Sequence, residues 1–204
     1  QHQLNLSEMI RFKFTILAVF IVLFSQAQIS TLKTGEWLRN WHLAGPFPLR
    51  EGANENRHLP GFDNDFLLNI GGETNPRVKD GQAVKYDDLA VKWVKYESAD
   101  SIVDLDYLIS KKNFVTAYAY TEVESDREGI FILALGSNDG GRLWFNGEQV
   151  WDGAEARGFT PDDDLIPVFV QKGKNKILIK VEEFGNKWEF GARFLDFKLN
   201  EFVS

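Results

Sequence analysis

The stretch that most limits how this chain can fold is residues 129–153, GIFILALGSNDGGRLWFNGEQVWDG. It reads as three consecutive β-strands, 130–135, 142–145 and 148–151. The first two are joined by the turn-forming cluster Ser137-Asn138-Asp139-Gly140-Gly141. The last two are joined by Asn146-Gly147, a pair that tolerates the positive φ a two-residue hairpin requires.

The flanking chain repeats the period of two. Residues 113–123 place Ala117 and Ala119 on one face and Tyr118 and Tyr120 on the other, so small residues imply close packing on one side and aromatics a filled layer on the other. Residues 164–170 align Ile166, Val168 and Val170, and residues 176–181 align Ile177, Ile179 and Val181. A closing strand carries Trp188, Phe190, Ala192 and Phe194 on one face. An opening strand at 41–44 is interrupted by Gly45-Pro46, where proline cannot donate to a ladder and so belongs at a strand end or an edge. Shorter extended pieces are expected at 93–97 and 102–105. With about nine or ten short strands and no amphipathic helix, the pattern is that of an all-β antiparallel sandwich or jelly roll. Residues 49–88 lack alternation and are too long for a plain connection, so they are expected to drape over the sandwich with short helical turns.

The N-terminal region reads differently. Met9, Arg11 and Lys13 precede an uncharged apolar run at 14–24 and the small-residue ending Ser25-Gln26-Ala27. That is the layout of a secretory signal peptide, with an apolar core too short to span a bilayer. Residues 1–27 are therefore expected to be leader and signal peptide, residues 28–36 a loose mature N-terminus, and residues 28–204 a single exported domain with no membrane span. Its destination is the periplasm, the cell surface or the medium. The mature part carries 21 basic and 29 acidic residues, which argues against nucleic acid or an anionic membrane as partner. With no cysteine, stability must come from packing rather than disulfides.

The segments Ala117-Tyr118-Ala119-Tyr120-Thr121, Leu135-Gly136-Ser137-Asn138-Asp139-Gly140, Leu143-Trp144-Phe145-Asn146-Gly147, Arg157 and Lys172-Gly173-Lys174-Asn175-Lys176 resemble the galactose-binding-like β-sandwich modules attached to secreted bacterial hydrolases. The resemblance runs from about Trp37 to Phe194, with residues 41–47 as its opening signature. It implies a non-catalytic accessory module that binds carbohydrate or packs on an adjacent catalytic domain. A shorter stretch, Ser137-Asn138-Asp139-Gly140, is similar to the hairpin of protective-antigen-type lectin domains, where paired aspartates hold calcium beside the sugar; here Asn138 replaces the first aspartate. Calcium is the candidate cofactor on that reading, and none is expected on the others.

The candidate ligand residues are Trp144, Trp151, Arg157, Asn138 and Asp139. Indole faces suit the C–H faces of a pyranose, and Arg157 offers a planar fork to carboxylates or hydroxyls. Four of them have a structural alternative: Trp144 as filling of a second layer or an interdomain contact, Asn138 and Asp139 as turn formers, and Arg157 as the partner of the acids that follow it. Asp139, Asp162 and Asp163 are the candidate metal ligands. Only His42 and His58 remain after residue 27, and no G-x-S-x-G, H-E-x-x-H or Walker sequence occurs, so the chain reads as non-catalytic or as the front of a longer enzyme.

Overall fold

The computed structural model describes residues 29–52 and 57–197; the expected leader and signal peptide and the last seven residues lie outside them. Two β-sheets face one another. In the larger, the order is β10 (Glu148–Gly153), β9 (Gly141–Phe145), β12 (Gly173–Glu183), β7 (Val115–Ser125), β2 (Asn40–Pro48) and β5 (Val94–Glu97), with β1 (Ser30–Thr31) running parallel to β7. In the smaller, the order is β11 (Asp164–Val170), β8 (Gly129–Asn138), β13 (Glu189–Asp196) and β6 (Val103–Asp104). Apart from β1, every named pairing is antiparallel. One helical turn, α1 (Leu105–Leu108), is capped by the Asp104 carboxylate, which accepts from the Tyr107 amide at 2.9 Å.

The alternation read from the sequence fixes which residues meet between the sheets. Ala117, Ala119 and Val123 of β7 and Ile177, Ile179 and Val181 of β12 face Phe131, Leu133 and Leu135 of β8. Ile166, Val168, Phe190 and Phe194 complete that layer. Each valine, leucine, isoleucine or phenylalanine in this layer contributes about 1.5–3 kcal/mol by leaving water. The small residues serve close approach: a Cβ on Gly45 would lie 2.8 Å from that of Ala117. The hairpin between β9 and β10 turns on Asn146 and Gly147, at φ 51° and 89°, as its sequence requires.

The opening strand does not end at Gly45-Pro46. β2 continues to Pro48 with a register shift between Ala44 and Phe47. Proline is accommodated because β5 pairs β2 only as far as Leu43, so Pro46 lies where β2 has a single neighbour. The expected loose mature N-terminus also departs from expectation over its described residues, 29–36. From Ile29 onward the chain is laid down on the sandwich: Ser30 and Thr31 pair with Val123 and Glu124, Thr34 bridges Phe194 and Trp37 bridges Arg193.

Residues 49–52 and 57–93 form a third layer on the outer face of the larger sheet, built from a 3-10 turn at Leu68–Ile70 and the hairpin β3 (Ala83–Tyr86) to β4 (Leu89–Lys92). Leu59, Phe62, Phe66, Leu67, Val84 and Trp93 pack there on Phe47, Tyr118, Tyr120, Trp144 and Leu178. Beneath them runs a charged seam. Lys180, with no solvent exposure, donates to the carbonyl of Phe62, to that of Asn64 at 2.8 Å and to Glu73 at 2.9 Å, with the Phe62 ring 4.5 Å away. Tyr118 donates to the same Glu73 oxygen at 2.5 Å. His58 sits between Glu182 and Asp152, each 2.6 Å from one ring nitrogen, and Arg142 joins Asp152 at 2.6 Å to Asp63 at 2.7 Å. The outer face of the smaller sheet has no such cover among the described residues and exposes Ile130, Leu165 and Phe169.

Candidate functional site

Residues 29–40 leave the larger sheet at β1, touch the smaller one at Thr34 and Trp37, and return to the larger one at Asn40. The excursion bridges the two sheets, and its neck is tied where Asn40 Nδ2 donates to Ser30 Oγ at 3.1 Å. Beside it lies an open depression of about 670 Å³ lined by Lys33, Glu36, Trp37, Arg39, Asn40 and Thr121 among others. Through Ile29, Asn40 and Thr121 it continues into a recess of about 80 Å³ bounded by His42, Lys95, Tyr120 and Glu122. Strand register assembles that recess: His42 lies directly across from Lys95 on one side and from Tyr120 on the other.

The electrostatics of this groove are uneven. Glu122 accepts from the Tyr120 hydroxyl at 2.7 Å and pairs with Lys174 at 2.7 Å. Burial raises its pKa, but those two partners outweigh burial and hold it below the usual carboxylate range. Glu36 pairs with Lys33 at 3.3 Å. His42 is depressed by burial, helped by the Lys95 charge and opposed by Asp80 and Glu122, and so presents a neutral imidazole. The Trp37 ring has the Arg193 guanidinium 4.6 Å from its centre. The groove thus offers hydroxyls, a carboxamide, a neutral imidazole and an indole, which can bind a hydroxyl-rich ligand but include no paired nucleophile and base.

The residues singled out in the sequence gather mostly at one end of the sandwich. Arg157 donates to Ser137 at 2.7 Å, to Asp164 at 2.6 Å and to Asp163 at 3.3 Å, and its guanidinium lies 5.3 Å from the Trp151 ring centre. This is the arginine–aspartate pairing that was the structural alternative for the loop. Asp162 is not part of it and pairs with Arg193. Asn138 and Asp139 are buried; the Asp139 carboxylate accepts from the amides of Arg157 at 3.1 Å and Phe184 at 2.8 Å. Burial outweighs those two bonds and lifts Asp139 to about 6. Trp144 is separate from this group. It points away from Leu143 and Phe145, as alternation requires, but is 4% exposed in the layer covered by residues 49–52 and 57–93. That burial removes it as an open stacking surface. Among the described residues, no group of three or more His, Cys, Asp or Glu is placed to hold a metal ion.

The charged groups of the seam on the outer face of the larger sheet are occupied. Both His58 ring nitrogens face carboxylates; burial lowers its pKa, but Glu182 and Asp152 outweigh burial and raise it above 6.5, leaving an imidazolium with no free lone pair. Sequence reasoning missed Trp37, Arg39, Asn40, Lys95 and Thr121. Nothing local marks them, because the groove exists only once β1, β2 and β5 have been paired.

No family model and no curated protein sequence matches the chain. Among solved structures, β-glucosidase from Kluyveromyces marxianus in complex with glucose is 14% identical with a TM-score of 0.39, over 52% of this chain and 15% of that one. Its selenomethionine form gives 12% identity and a TM-score of 0.40, over 60% and 16%. The chain thus spans about a sixth of the length of those enzymes.

Proposed function

We propose that this chain is a non-catalytic β-sandwich module that binds carbohydrate and acts beside a hydrolase, exported by the signal-like segment at its start. The observation that carries the reading is the groove beside residues 29–40. It is open, of a size for a short run of sugar units, and lined by hydroxyl, amide, imidazole and indole groups. The occupancy of His58, Lys180 and Glu182 in fastening one layer to another supports the absence of catalysis. Binding would act by recruitment, raising the concentration of glycan near a tethered active site.

A glycan array followed by isothermal titration tests this. The expected outcome is a saturable oligosaccharide ligand weakened by Trp37→Ala and Asn40→Ala, with melting temperatures measured alongside so that loss of the Asn40–Ser30 tie or of the Arg193 contact on Trp37 is read separately from loss of binding. A flat response across plant, host and bacterial glycans would instead favour a docking module, for which the exposed Ile130, Leu165 and Phe169 face is the supporting observation.

A further inference from the structure

We infer that the groove selects acidic polysaccharide, chains bearing carboxylate or sulfate groups, over neutral glycan; the inference rests on the carbohydrate-binding reading above. The charges that line it do not cancel. Its two carboxylates are already satisfied, Glu36 by Lys33 and Glu122 by Lys174 and the Tyr120 hydroxyl. Its remaining cations are not. Lys95 is exposed and its ammonium makes no ion pair among the described residues; the nearby Asp80 carboxylate accepts instead from the Lys95 backbone amide at 2.9 Å. Arg39 is exposed, and among the described residues its guanidinium makes only a long 3.5 Å bond to the Ala99 carbonyl. Glu97, across from Asn40, lines neither part of the groove.

In a protein of net charge −7, a groove whose unpaired charges are both positive is a local reversal of sign. Such a reversal attracts an anion, with the Asp80 carboxylate, which acts on His42 from outside the lining, as an opposing charge. The two cations also lie in different parts of the groove, Arg39 beside the larger depression and Lys95 at the small recess. This spacing suits acidic groups on separate units of one chain. A neutral imidazole at His42 next to Lys95 adds a hydrogen-bonding partner without adding a charge.

The test is affinity gel electrophoresis and titration of the full chain against polygalacturonate, a sulfated galactan and neutral xylan and galactomannan, at low and raised ionic strength. The acidic chains are expected to bind more tightly than the neutral ones and to weaken as salt screens the contact. Whichever of carboxylate and sulfate binds better identifies the acidic group. Lys95→Gln and Arg39→Gln should each weaken that binding by about two- to five-fold. Lys172→Gln, the same charge change in the β11–β12 turn, should leave it unchanged. Equal or tighter binding to neutral glycans, or equal effects from all three variants, overturns the acidic preference and leaves the carbohydrate-binding reading standing. Absence of binding to every polysaccharide overturns both.

Discussion

Glu183 is the residue at which the sandwich is least at ease. It is 1% exposed, and among the described residues its Oε2 has no hydrogen-bond partner. Burial, and then the charges of Asp139 and Asp106, push its pKa up to about 8. At neutral pH it is therefore mainly a neutral carboxylic acid. Because its folded pKa lies above the unfolded value, the folded state holds a proton that the unfolded chain releases, and stability falls as pH rises from the unfolded value through about 8. Glu183→Gln keeps the shape and removes the titration. The variant should melt a few degrees higher than the parent at about pH 9, with little difference at pH 4. Parallel melting curves for the two proteins across that range would show that the acid is already relieved by solvent.

At the level of elements, the layer formed by residues 49–52 and 57–93 depends on His58. The imidazolium joins Glu182 on β12 to Asp152 on β10, and the Leu59 amide gives Glu182 a second bond at 2.9 Å. Replacing His58 by Ala leaves a carboxylate with no solvent exposure short of its main partner, a loss of about 3–5 kcal/mol by analogy with broken buried pairs. The loss should be local. Native-state hydrogen exchange is expected to show residues 57–72 opening well before β7 and β12, which share an unbroken eleven-pair ladder at the centre of the sheet. His58→Ala should widen that gap. If the layer and the ladder open with one free energy in both proteins, the two-unit picture is wrong.

The same seam marks the limit of what the sequence discloses. Strands such as β11 and β12 were legible because branched residues recur at a spacing of two between turn signals, Ile166, Val168 and Val170 in one and Ile177, Ile179 and Val181 in the other. Lys180, Glu182 and Trp144 also alternate correctly, yet nothing near them shows that the outward face is covered. The cover lies about a hundred residues away in sequence, at Phe62 and Glu73, in a segment with no periodicity of its own. The loop end was partly legible: Asp163, Asp164 and Arg157 are close in sequence, so their pairing is a local event. The groove was not, because Arg39 and Lys95 meet only through non-local strand pairing.

For the whole molecule, the individual titrations combine into one pH profile. Asp152 and Glu122 have depressed folded pKa values, the first through His58 and Arg142 and the second through Lys174 and Tyr120, in each case against the opposing effect of burial. Their contributions are present above the unfolded carboxylate values and are lost as pH falls through the folded ones. His58, Glu183 and Asp139 are all raised. The His58 contribution is complete below its unfolded value of 6.5 and is lost as pH rises through its higher folded value; those of the two acids decline from about pH 4 upward. His42, depressed by burial, joins Asp152 and Glu122 on the acid side, and the two limbs are unequal because Glu183 and Asp139 on the alkaline side are buried, whereas Asp152 is exposed and Glu122 and His42 are only partly buried. Melting temperature should therefore peak between about pH 5 and 6 and fall by roughly 5–10 °C towards pH 9. His58 and Glu183 lie on opposite faces of the larger sheet, so removing both should flatten the alkaline limb by about the sum of the single effects. Scanning fluorimetry of the parent, both single variants and the double variant measures this directly, and a plateau from pH 6 to 9 in the parent would show that neither group governs the fold's stability.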